Sequence, residues 1–265
     1  MRAPEGDLSD STDLTAAVDL AGHAAGLIER LRSRQPRVHC ITNAVAQAFT
    51  ANVLLAVGAI PSMTISPDEV TAFAARADAL LVNLGTFDAG RRAATEAALA
   101  QVTEQGKPWV LDPVLIDRSP PRAIYAREIA ARRPAAIRLN EREYLTLADA
   151  MPPEVFSRRN GTVVALTGQT DLATDGARIL RIANGHPLMG RVTAMGCAES
   201  ALVAAALAVE PDALKAVASA LLWFGVAGDI AGETANGPGT FGVHILDALF
   251  NLDRAAITAR AKVRS

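Results

Sequence analysis

The segment Thr193-Ala194-Met195-Gly196-Cys197 leads into a run of small residues over 198–209 and reads as a helix entered through a tight turn. Unpaired amides at a helix start point outward, and the macrodipole favours negative charge there. A transferring phosphoryl group is the kind of charge such a turn holds. Gly196 lets the backbone approach a ligand closely. Cys197 at the same end is expected to have a lowered thiol pKa, which would suit it to act as general base towards a substrate hydroxyl. Composition alone offers a plainer reading, in which Cys197 is a small buried apolar residue.

Two carboxylates are candidates for a magnesium site, because magnesium keeps several waters and needs only one or two protein carboxylates beside substrate phosphates. Asp112, before Pro113, is one, and it reads equally as an ordinary turn residue. Glu143 is the other, in a stretch over 140–147 that looks exposed, where a solvated charge is the bland alternative. Arg138 ends an apolar run; it suits clamping of nucleotide phosphates or pairing with a nearby acid. His39 and His244 lack metal-ligand spacing and read as packed or capped histidines.

These groups need a frame, and the apolar pattern supplies one. Short β-like runs fall at 38–41, 60–65, 79–84, 109–111, 136–139 and 162–166. Helical stretches lie between them, at about 45–57, 88–105 and 122–132, after a first helix carrying Leu14, Val18, Ala21, Leu27, Ile28 and Leu31 at helical spacing. Ser66, Pro67 and Glu69 suggest a capping box opening another helix. Asp175-Gly176 reads as a hairpin turn, and the chain beyond Gly196 as mostly helical, broken at 236–239. This order predicts an α/β fold with a mostly parallel central sheet, helices on both faces and one antiparallel hairpin. In such sheets ligands bind beyond the carboxyl ends of the strands. The polar clusters at 39–43, 83–86, 112–113, 138–140, 167–168 and 193–197 all fall there.

Composition narrows the function. The chain of 265 residues is half hydrophobic but only 4% aromatic, so its core must be built mainly from Ala, Val, Leu and Ile. With 26 basic and 28 acidic side chains there is no basic excess of the kind that marks nucleic-acid binding. Apolar stretches such as 201–209 are too short to cross a bilayer, and no secretory signal is visible at the N-terminus. Cys40 and Cys197 lie far apart without CxxC spacing, so neither a disulfide scaffold nor a cysteine zinc site is indicated. A cytoplasmic protein of one domain spanning 1–265 is expected, with residues 1–12, acidic and interrupted by Pro4 and Gly6, a candidate for disorder.

An ordered series of motifs begins with Val38-His39-Cys40-Ile41-Thr42-Asn43 and Thr50-Ala51-Asn52, and continues through 58–63 (GAIPSM), 83–86 (NLGT), 111–114 (LDPV) and 137–140 (IRLN). Thr167-Gly168, 174–176, 185–189 (GHPLM), 237–241 (GPGTF) and 246–249 (LDAL) complete it. The series resembles the hydroxyethylthiazole kinases of thiamine salvage. The resemblance implies a ribokinase-like three-layer sandwich and a homotrimer with active sites between subunits. It implies transfer of the γ-phosphate of ATP to the hydroxyethyl oxygen of 4-methyl-5-(2-hydroxyethyl)thiazole, with magnesium. Met63 and Asn43 would then contact the thiazole, with Ala194 on the substrate side. Arg138, Thr167 and Asn140 would hold ATP, and Asp112 and Glu143 the magnesium. Cys197, beside Gly196, would take the catalytic position where related sugar kinases carry an aspartate.

The chain departs from the family pattern at the site itself. Ala194-Met195 stand where the family has Gly-Thr, adding a Cβ near the substrate and removing a hydroxyl near the phosphoryl path. Glu199 replaces an apolar residue in what reads as the first turn of the helix, where its carboxylate would compete with phosphate. Leu139 replaces a glycine. These departures leave two alternatives to a thiazole kinase: a kinase for another small heterocyclic alcohol, or a binding protein that has lost transfer.

Overall fold

A computed structural model describes residues 8–265, with side chains from Leu20 onward. The disorder expected over residues 1–12 falls, for residues 1–7, outside the described residues; helix α1 runs Leu8–Arg34. Nine strands follow: β1 (Arg37–Ile41), β2 (Ile60–Ser62), β3 (Ala79–Asn83), β4 (Trp109–Asp112), β5 (Ala136–Asn140), β6 (Val163–Thr167), β7 (Asp171–Thr174), β8 (Ile179–Ile182) and β9 (Val263–Arg264). They form one sheet in the order β2-β1-β3-β4-β5-β6-β7-β8-β9. Strands β1 to β6 are parallel, and β7, β8 and β9 join antiparallel. The remaining helices are α2 (Gln47–Ala56), α3 (Val70–Arg76), α4 (Ala89–Glu104), α5 (Pro120–Ala130), α6 (Glu141–Ala148), α7 (Pro153–Asn160), α8 (Met195–Leu207), α9 (Ala213–Thr234), α10 (Pro238–Asn251) and α11 (Arg254–Arg260).

Side chains of a strand alternate between faces, and here the alternation divides two cores. Ala79 and Leu81 of β3 point into one, with α1, α2 and α8 to α11. Leu80 and Val82 point into the other, with α3 to α7. A sheet covered on both sides has no solvent face to keep polar, which is why β3 reads as an unbroken apolar run.

The shortage of aromatic residues is met by close packing of small ones. In α8 every residue except Gly196 is buried, and Ala198, Ala201, Ala204 and Ala205 sit in the core against α9 and α2. One large side chain ties this layer together: Trp223 of α9 is fully buried, and its Nε1 donates to the Ala24 carbonyl of α1 at 3.0 Å. Its loss to alanine would cost about 3–5 kcal/mol. Helix α9 is long and apolar enough to cross a membrane, but 78% of its apolar window is buried inside the protein, as a core helix requires.

Three local expectations change. The β2 strand stops at Ser62 rather than continuing to residue 65, because Thr64 turns back: its carbonyl meets the His39 ring and its hydroxyl donates to Glu69. That second bond also undoes the capping box. Glu69 is drawn to Thr64, and α3 starts only at Val70 with no side-chain cap. Glu143 is buried, not solvated.

Candidate active site

Register brings the polar residues together. Asn83 pairs with Asp112 across β3 and β4, and Asn140 with Thr167 across β5 and β6. All four therefore stand at the carboxyl edge of the parallel sheet. Asn43 lies just past β1, and the start of α8 lies against the same edge. The Asn83 amide donates to Asp112 Oδ2 at 2.6 Å and to Cys197 Sγ at 3.2 Å. The Asn43 amide donates to Asn83 Oδ1 at 3.1 Å and to Cys197 Sγ at 3.5 Å. Ser200, one turn into α8, donates to Asp112 Oδ2 at 3.0 Å. Gly85 is required here: a Cβ would fall 2.6 Å from that of Asn43.

Electrostatics corrects the expectation for Cys197. Burial pushes its thiol up to about 12, and the neighbouring Asp112 charge adds to that; the Asn43 and Asn83 amides and Arg138 oppose the rise without cancelling it. At neutral pH, Cys197 is a thiol whose sulfur accepts two amide hydrogen bonds. Asp112 is buried and raised to about 7 by desolvation, with Arg138 pulling it down and Glu143 pushing it up. Its Oδ1 is buried without a hydrogen-bond partner, so it has a lone pair free for a proton or a cation.

The start of α8 is open to an anion. Ala194, its N-cap residue, lies in the left-handed region (φ 69°) and offers no side-chain cap. A cavity of about 750 Å³ opens beside it, lined among others by Arg138, Asn140, Thr167, Asp171, Gly196 and Glu199. Arg138 and Glu199 form an ion pair inside it: Nε and Nη2 both reach Glu199 Oε2 at 3.0 Å. Pairing with an acid, one of the two roles read for Arg138 in the sequence, is present in the structure. Burial opposes its charge, but Glu199, Asp112, Glu143 and Asp171 together raise its pKa. The helix begins at Met195, so Glu199 is its fifth residue and lies past the first turn. Asp171 is held well above the ordinary carboxylate range by burial and by the Glu199 charge.

The other sequence candidates take defined places. Glu143 closes a capping box with Asn140 at the start of α6: Glu143 N–H donates to Asn140 Oδ1, and Asn140 N–H to Glu143 Oε2. Its Oε1 accepts from Leu115 N–H at 2.8 Å, tying the loop after β4 to α6. Thr167 Oγ1 donates to the Leu139 carbonyl at 3.4 Å on the cavity wall. Met63 packs half-buried on the α8 side of the sheet. It is bracketed by His39, whose ring bonds Ser62 Oγ at 2.8 Å and the Thr64 carbonyl at 3.1 Å. His39 is thus a packed histidine, and burial lowers it to about 4, so it is neutral. His244 bonds Thr234 Oγ1 on the surface. Met195 is buried in the core as well as lining the cavity. Among the described residues no group of three His, Cys, Asp or Glu could hold a metal ion.

Asn83, Ser200 and Asp171 had no assigned role in the sequence. Asn83 was recoverable from its place at a strand end before Gly85, and Ser200 from its spacing of four after Gly196. Asp171 gave no signal.

This sandwich, with a helix start meeting a cavity at the strand ends, is the ribokinase-like class of α/β fold. A ribokinase-like superfamily protein from Enterococcus faecalis superposes with a TM-score of 0.66 at 14% identity, covering 84% of this chain and 89% of that one. The chain belongs to the hydroxyethylthiazole kinase family, whose model matches residues 28–155 and 153–255. It is 44% identical to a probable hydroxyethylthiazole kinase of Agrobacterium fabrum over 92% of this chain and 95% of the relative. With the hydroxyethylthiazole kinase of Klebsiella pneumoniae it shares 46% identity, over 85% and 94%. The structure of the hydroxyethylthiazole kinase protein from Pyrococcus horikoshii superposes with a TM-score of 0.87 at 38% identity, covering 91% of this chain and 98% of that one.

Proposed function

We propose that this chain, a single kinase domain, transfers the γ-phosphate of ATP to the primary alcohol of 4-methyl-5-(2-hydroxyethyl)thiazole in thiamine salvage. The observation that carries the reading is the start of α8. Gly196 borders the cavity, and Cys197, the next residue, belongs to the Asn43–Asn83–Asp112 cluster. Nucleotide on one side and alcohol on the other would meet at the amides between them.

In this reading Arg138, Thr167 and Asn140 bind the nucleotide phosphates, and Asn43, Met63 and the backbone at Ala194 orient the alcohol. The first-turn amides of α8, with Gly196 allowing close approach, stabilise charge on the transferring group. Cys197, as a neutral thiol, contributes position and packing rather than a thiolate base. The open Oδ1 of Asp112 and the nearby Glu143 fit magnesium, which would neutralise phosphate charge there. The chain would work in the cytoplasm as a homotrimer. Exposed Val45, Val243 and Phe250 are apolar surface such an assembly could cover.

Thiazole-dependent ADP formation by the purified chain with ATP and magnesium tests the reading; folded protein without turnover sinks it. The Cβ of Ala194, in a left-handed turn on the substrate side, favours a second reading in which the alcohol is a related heterocycle. A panel of alcohols decides: clear preference for the thiazole removes the second reading. Nucleotide binding without turnover of any alcohol would mark a binding protein instead.

A further inference from the structure

Arg138 is a long cation in a buried setting, and what holds it matters. Its side chain is 14% exposed and that of Glu199 7%. Arginine carries about 2 kcal/mol of rotamer entropy, so a phosphate-binding arginine gains when its orientation is fixed before the ligand arrives. Gly196 and Glu199 lie three residues apart on α8, hence on one helix face. The guanidinium lies across that face. A Cβ on Gly196 would fall 2.9 Å from both Cζ and Nη2, so the group rests against the glycine backbone. The Nε–Nη2 edge is taken up by Glu199 Oε2. Nη1 lies nearest of all to the place that Cβ would take, against Gly196 at the helix start that borders the cavity.

We propose that Glu199 is a positioning residue for nucleotide binding: its carboxylate holds the Arg138 guanidinium over Gly196, at the helix start where the phosphates would bind. The inference rests on the assignment of this cavity to ATP. It replaces the competition expected from the sequence. Glu199 is the fifth residue of α8 and its Oε2 is already shared by two donors of Arg138, so its carboxylate is engaged by the arginine rather than set against a phosphate. A buried guanidinium also needs a partner, and an apolar side chain at this position would provide none.

The test is ATP binding to the full-length chain by calorimetry with magnesium, alongside KM for ATP and kcat. Glu199→Leu is expected to weaken ATP binding on the order of tenfold to a hundredfold, mostly in KM. Glu199→Gln keeps an acceptor oxygen and should restore most of the affinity. In an Arg138→Met background, adding Glu199→Leu should change ATP affinity no further. Unchanged or tighter ATP binding by Glu199→Leu overturns the proposal, as does an equal loss in both backgrounds. If Glu199→Leu does not fold, the double variant against Arg138→Met decides, because it removes both charges together. Wild-type turnover with Arg138→Met binding ATP normally overturns this inference and leaves the kinase reading standing. A wild type that binds no nucleotide overturns both.

Discussion

At pH 7 the Cys197 sulfur keeps its proton, which changes what its removal should do. Burial beats the helix start at this position: the thiol is lifted to about 12, where the open dipole alone would have lowered it. Cys197→Ala should lower kcat while leaving the shape of the pH–rate profile unchanged between about pH 6 and pH 9. Loss of an ionisation from that profile in the variant would restore the thiolate base. Ala194 makes a separate prediction. A non-glycine residue in the left-handed region costs about 1–2 kcal/mol, and glycine returns part of that through a freer unfolded chain. Ala194→Gly should therefore stabilise the protein by about 0.5–1 kcal/mol in urea unfolding. A loss of stability would mean that the alanine methyl group is held by contacts worth more than its strain.

At the scale of elements, the junction between β5 and α6 carries more than its sequence suggested. Glu143 looked solvated because helix periodicity cannot report what a loop brings over the helix start. Its two oxygens are in fact taken by the amides of Leu115 and Asn140. Glu143→Gln places an NH2 against one of those donors, so it should lose about 1–3 kcal/mol in urea unfolding even in magnesium-free buffer. A loss seen only when magnesium is present would leave the carboxylate as a metal ligand without a structural share. Strand ends were legible because the two-sided burial of β3, β4 and β6 prints as apolar runs, and the polar residues that follow them cluster by register. The 64–70 turn was not. Ser66, Pro67 and Glu69 form a sound local signal, but Thr64 and His39 outcompete it through contacts that a linear pattern does not contain. The Arg138–Glu199 pair was hidden for the same reason: its partners stand 61 residues apart.

Across the whole molecule, buried ionisable groups set opposing pH slopes. His39 is lowered to about 4 in the fold from 6.5. The unfolded chain binds its proton first, so its contribution is full above pH 6.5 and is lost as pH falls towards 4, by roughly 3 kcal/mol. Asp112, raised from 3.8 to about 7, acts the other way, and so does Asp171, raised to about 8: their contribution is full below about pH 4 and is lost as pH rises towards those values. The His39→Gln variant isolates the first slope. Its stability deficit against wild type should shrink as the pH is lowered from about 7 to about 4, and a constant deficit would show that His39 does not stay neutral. Helix α8, buried at every residue but Gly196, belongs to the part of the molecule that opens least often. Its later amides should be among the slowest to exchange with deuterium. The first-turn amides at Gly196 and Cys197 have no intrahelical acceptor and should exchange quickly until a nucleotide slows them. Two neighbouring peptide groups would then report, on timescales far apart, the permanence of the scaffold and the arrival of the ligand.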